Sequence, residues 1–90
     1  MTMSEISQQL NIPLAILEYE SVRIYLENRL RALQTEMYVL SKKHGITTAL
    51  EFDSEAKKGR FHEDAFEDYI AFDHIESEIK KIHSVLDRLA

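Results

Sequence analysis

The stretch Phe72-Asp73-His74-Ile75-Glu76-Ser77-Glu78-Ile79-Lys80-Lys81-Ile82-His83-Ser84-Val85-Leu86-Asp87-Arg88-Leu89 decides the fold. Its apolar positions Phe72, Ile75, Ile79, Ile82, Leu86 and Leu89 recur at alternating steps of three and four residues, which holds one stripe of an α-helix against a partner. A strand would need alternation at every second residue, and here most of the intervening positions are charged or polar. Neither Gly nor Pro interrupts the run, so the helix is predicted to extend over residues 64–89.

The partner for this stripe lies upstream. From Tyr19 the series Tyr19, Val22, Leu26, Leu30, Leu33, Met37, Leu40 repeats the helical spacing with one extra step of four. Pro13 suits a first helical turn, where its missing N–H would be unpaired anyway. Gly45 suits the left-handed position just past a helix end, and Lys42, Lys43 and His44 favour the negative end of the helix before it. A long helix is therefore predicted over residues 13–44. Between the two, Thr48 and Glu51 have capping-box spacing and Gly59 follows Lys57 and Lys58, which predicts a short helix over 49–58. Asp64 and Glu67 form a second capping-type pair before the last helix. Met1 to Asn11, with Ser4 as its cap candidate, holds too few apolar residues for a stable helix and reads as a flexible, frayed arm or a single turn. The expectation is one all-α domain over residues 1–90, a long antiparallel helical hairpin with a short connecting helix.

A hairpin of 90 residues is too small to bury much surface by itself. The first long helix carries a second apolar line, Leu14, Tyr25, Ala32 and Val39, beside its main stripe. The widened apolar arc predicts a homodimer, two hairpins closing into a four-helix bundle, with Leu14, Tyr25, Ala32, Leu33 and Val39 at the interface; the alternative is a monomer in which the short helix and the N-terminal arm cover the second line. The net charge of −5 disfavours nucleic acid as a partner, because phosphate binding needs clustered Lys and Arg. With no Cys there is neither a disulfide framework nor a thiolate nucleophile or metal ligand, which fits a reducing compartment. No apolar run reaches membrane-spanning length and the first residues lack a signal-peptide pattern, so the chain is expected to be cytoplasmic.

Chemistry-bearing constellations are sparse. Di-iron bundles need Glu-x-x-His, and none of His44, His62, His74 and His83 has Glu three residues before it. The pairs His74 with Glu78 and His83 with Asp87 have the four-residue spacing of a solvated helix contact. The group Glu63, Asp64, Glu67, Asp68 is similar to half of the acidic motif with which all-helical nucleotide pyrophosphohydrolases hold magnesium. Glu18, Glu20, Glu27 and Glu36 do not supply the other half, and acids are favoured at a helix N-terminus in any case. The expectation is a protein that is not an enzyme and that holds no metal or cofactor.

The surface distribution is more distinctive. Seven acids and no Lys or Arg fall between Glu63 and Glu78, and all four Phe residues fall between Phe52 and Phe72. Aromatic anchors within an acidic rim suit recognition of a basic protein, which makes Phe61, Glu63, Asp64, Phe66, Glu67, Asp68 and Tyr69 the candidate partner-binding residues; the alternative is that the Phe residues close the hairpin end and the acids solvate the face.

The order of parts is a long helix ending in Lys42-Lys43-His44-Gly45, a capped segment Thr48 to Phe52, a Lys58-Gly59 turn, and Glu63-Asp64-Ala65-Phe66-Glu67-Asp68-Tyr69 leading into a heptad helix. In this order, from about Tyr19 to Leu89, the chain resembles small prokaryotic helical-hairpin proteins that serve as antitoxin-like partners in toxin–antitoxin pairs. The resemblance implies a non-enzymatic protein that neutralises a basic toxin, a ribonuclease or nucleotidyltransferase-like enzyme encoded beside it. The alternatives are a structural or adaptor coiled-coil dimer and, third, a magnesium-dependent nucleotide pyrophosphohydrolase.

Overall fold

A computed structural model describes residues 1–61 and 65–89, and among these every regular element is helical. Four helices follow in order: α1 Met3–Leu10, α2 Leu14–His44, α3 Ala49–Lys57 and α4 Ala65–Leu89. α2 and α4 run antiparallel along each other. Lys43 and His44 at the end of α2 meet Asp68 near the start of α4. At the opposite end Tyr19, Arg23 and Glu27 of α2 lie beside Leu86 and Leu89. The molecule is correspondingly elongated, 60 × 24 × 16 Å.

The stripe on α4 forms the seam. Ile75, Ile79 and Ile82 are buried against Leu33, with Leu26, Leu30, Met37, Leu40 and Leu86 packed around them. Burying each such aliphatic side chain contributes about 1.5–3 kcal/mol relative to leaving it in water. Towards the open end the seam passes into a second cluster of Ile46, Ala49, Phe52, Ala65 and Phe72, against which Met37, Leu40, Phe61 and Tyr69 pack. α3 closes this end of the hairpin by setting Phe52 under Phe72.

Three expectations change. Leu33, assigned to a dimer interface, is only 2% exposed and belongs to the seam within the chain, as its place in the main α2 stripe demands. Val22, from the same stripe, is 46% exposed, because it lies where α4 runs out. The N-terminal arm is a helix. Its cap is Thr2 rather than Ser4, with Thr2 Oγ1 accepting from the Glu5 N–H at 3.1 Å. Asn11 adopts the left-handed conformation at the other end, φ 54°, and its N–H bonds back to Gln8 and Ser7 carbonyls. Ser7, buried, donates its hydroxyl to the Ile12 carbonyl and so fixes the bend into α2. Asn is the residue other than Gly that tolerates this conformation best. The expected capping pair at Asp64 lies outside the described residues.

Candidate functional site

The open end of the hairpin gathers most of the sequence's aromatic and acidic candidates. α2 stops at Gly45, whose φ of 66° and N–H bond to Ser41 O at 2.8 Å form a left-handed C-cap. The chain then turns through Ile46 into α3. Thr48 Oγ1 accepts from the Glu51 N–H at 3.0 Å, and Glu51 Oε2 accepts in return from the N–H and hydroxyl of Thr47. These bonds hold the Glu51 carboxyl below its ordinary range, the Thr47 hydroxyl contributing most. A second carboxylate comes from across the fold: Glu76 on α4 accepts from the Ala49 N–H at 3.1 Å. Glu76 thus satisfies a donor that the α3 N-terminus would otherwise leave open, and Glu51 ties down Thr47 just before the cap.

Phe52 is the centre of this end, 1% exposed. Its ring lies 4.8 Å from those of His44 and Phe61, 5.5 Å from Tyr69 and 6.3 Å from Phe72. Tilted and edge-on rings at these separations are the favoured aromatic arrangements. Arg60 crosses the top. Its guanidinium donates to the His44 carbonyl at 3.2 Å, pairs with Glu55 at 3.4 Å and lies over the Phe61 ring.

Asp68 sits at the edge of this cluster. Its Oδ2 accepts from Lys43 Nζ at 2.7 Å and lies 2.8 Å from His44 Nε2. These two partners, Lys43 foremost, hold the Asp68 carboxyl below its ordinary range. A carboxylate needs a donor, so the His44 tautomer or ion present must carry its proton on Nε2.

The candidate partner-binding residues therefore divide. Asp68 is tied to α2, and Phe61 and Tyr69 are half-buried against Phe52. Phe66 and Glu67 are exposed, Phe66 at 64%. Glu63 and Asp64 lie outside the described residues. Phe66 stands at the lip of a groove of 490 Å³ lined also by Phe52, Asp53, Ala56, Phe61, Ala65 and Tyr69. This groove can take an apolar side chain, and Asp53 in its lining is paired with Lys57 at 3.0 Å. Asp53 and Ala56 were not among the sequence candidates. Their position one turn apart on α3 became informative only once α3 was packed beside Phe66. Among the described residues no group of three His, Cys, Asp or Glu side chains is placed to hold a metal ion. No described helix is long and apolar enough to cross a membrane.

Flanking the seam on α2, Leu14, Tyr25, Ala32 and Val39 are all exposed, Tyr25 at 66% and Val39 at 57%. By helical geometry this line sits about 80–120° around α2 from Leu33. α4 therefore does not cover it.

A family model described as "Uncharacterized protein MJ0235 family" matches residues 1–90, and the chain belongs to that family. No curated protein and no solved structure matches it.

Proposed function

We propose that this member of the MJ0235 family is a non-enzymatic protein-interaction module, a homodimer that offers the open end of each hairpin to a basic protein such as a toxin. The observation that carries the reading is Phe66, a large aromatic side chain left 64% exposed beside an aromatic groove while its neighbours Phe52 and Phe72 are buried. An exposed aromatic at a preformed groove supplies the desolvated anchor of an interface. Glu67 beside it gives the negative charge that steers a basic partner, while Asp53 in the groove is already paired with Lys57 at 3.0 Å. The exposed line on α2 supports the dimer, since apolar side chains that no helix of the chain covers have most to gain from a second copy.

The test is co-purification with the product of the adjacent gene, followed by binding kinetics. Phe66→Ala is expected to raise the dissociation rate, and Glu67→Gln to lower the association rate in a salt-dependent way. If both variants bind a basic partner as the unmodified chain does, the groove is not the contact. An adaptor dimer working through α2 alone is then the better reading.

A further inference from the structure

The exposed line on α2 has an internal symmetry. Tyr25, Ala32 and Val39 are spaced by seven residues on either side of Ala32, and Asn28 and Glu36 are spaced by four on either side of it. Arg29 and Glu36 share the same side of the helix, one before and one after Ala32. All six side chains are exposed. Among the described residues neither Arg29 nor Glu36 has an ion pair within the chain.

We propose that two copies of this chain pair through α2 in antiparallel orientation, with the two-fold axis passing beside Ala32. This rests on the dimer reading above and specifies its geometry. Small Ala32 lets the two helices approach closely at the axis. Tyr25 of each copy then packs on Val39 of the other, and Arg29 of each copy meets Glu36 of the other, so one charge pair is made twice. The charges along the whole helix run the same way. From Leu14 to Glu27 there are three Glu against one Arg, and from Asn28 to His44 four Lys and Arg against one Glu. With the axis at Ala32, residues 37–44 of each α2, which carry Lys42 and Lys43, lie opposite residues 20–27 of its mate, which carry Glu20 and Glu27 against one Arg, whereas parallel pairing sets like ends together. α4 occupies a different side of α2, so the seam within each hairpin is left intact.

The absence of Cys allows a direct test of orientation. Ser21 is exposed and lies on the same side of α2, 11 residues from Ala32. A nitroxide on Ser21→Cys should give an interlabel distance of roughly 33 Å along the helices in the antiparallel pair, at 1.5 Å per residue. Parallel pairing would bring the two labels side by side. Light scattering on the unmodified chain is read first. A monomer removes the dimer reading itself, whereas a dimer with labels side by side, or at any other separation, overturns the orientation alone. A charge exchange gives an independent readout. Arg29→Glu should weaken dimerisation roughly tenfold by turning two attractive contacts repulsive, and adding Glu36→Arg should restore it. Failure of the double variant to recover in a chain that does dimerise overturns the pairing.

Discussion

His44 Nε2 lies 2.8 Å from Asp68 Oδ2, joining the last residue of α2 to the first turns of α4 across 24 positions of sequence. The imidazole is 10% exposed, tilted against Phe52 and edge-on to Phe61, so this polar contact is made at the edge of an aromatic core. Removing the side-chain acceptor leaves this largely buried ring N–H without its partner. Asp68→Ala should therefore destabilise the fold by about 1–3 kcal/mol, measured by denaturant unfolding.

The same pair sets a pH dependence. Asp68 has a carboxyl pKa lower in the folded chain than in the unfolded one, through Lys43 and then His44. Its contribution is thus fully present above the unfolded value of about 3.9 and is lost as pH falls through the folded value. Unfolding free energy measured from pH 6 down into the acid range should fall less steeply below pH 4 for Asp68→Asn than for the unmodified chain. Identical slopes would show that the ion pair contributes no differential stability.

Two phenylalanines separate core from surface. Phe72 is 0% exposed and Phe66 64% exposed. Phe72→Ala should cost about 3–5 kcal/mol, enough to threaten a domain this small. Phe66→Ala should change stability by only about 0.5 kcal/mol. Thermal melts of the two variants decide the matter. A large loss from Phe66→Ala would make it a core residue and remove it from the proposed contact.

The turn glycines give a third contrast. Both Gly45 and Gly59 have positive φ, 66° and 76°. A Cβ on Gly45 would also come within 3.1 Å of the Arg60 guanidinium that caps α2, whereas a Cβ on Gly59 meets nothing within 4 Å. Gly59→Ala should cost about 1 kcal/mol from backbone strain alone. Gly45→Ala should cost that much and also push the Arg60 guanidinium by a few tenths of an ångström against its bond to the His44 carbonyl, so its melting temperature should fall further. Equal shifts would mean that Arg60 yields without weakening that bond.

The periodic parts of this fold were legible in the sequence and the long-range polar parts were not. The α4 stripe from Phe72 to Leu89 is buried or half-buried throughout, and the ends of α2 and α3 fall within a residue of those predicted, because hydrophobic period, Gly45 and the Thr48–Glu51 pair are local signals. α1 escaped notice because its stability comes from caps at Thr2 and Asn11 and from Ser7 bonding forward to Ile12, rather than from apolar content. Asp68 read as a rim acid because nothing local reveals that the register of the hairpin brings Lys43 and His44 to it. The basic triad at the end of α2 explained itself as compensation of the helix dipole, and that explanation concealed its second role.

Leu33 separates the seam of the hairpin from the exposed line on α2. It is 2% exposed and packs against Ile75, Ile79 and Ile82, so Leu33→Asp would place a carboxylate among aliphatic side chains with no partner to hold it. The expected result is loss of the helical circular dichroism signal, because the group must either pull α4 away from α2 or remain buried at a cost of several kcal/mol. Tyr25→Asp puts the same charge on a side chain that is 66% exposed, so the chain should keep its helical signal, and only the mass read by light scattering should change. A Leu33→Asp protein that stays fully helical and melts as the unmodified chain does would mean that the α2–α4 seam is not the core of this molecule.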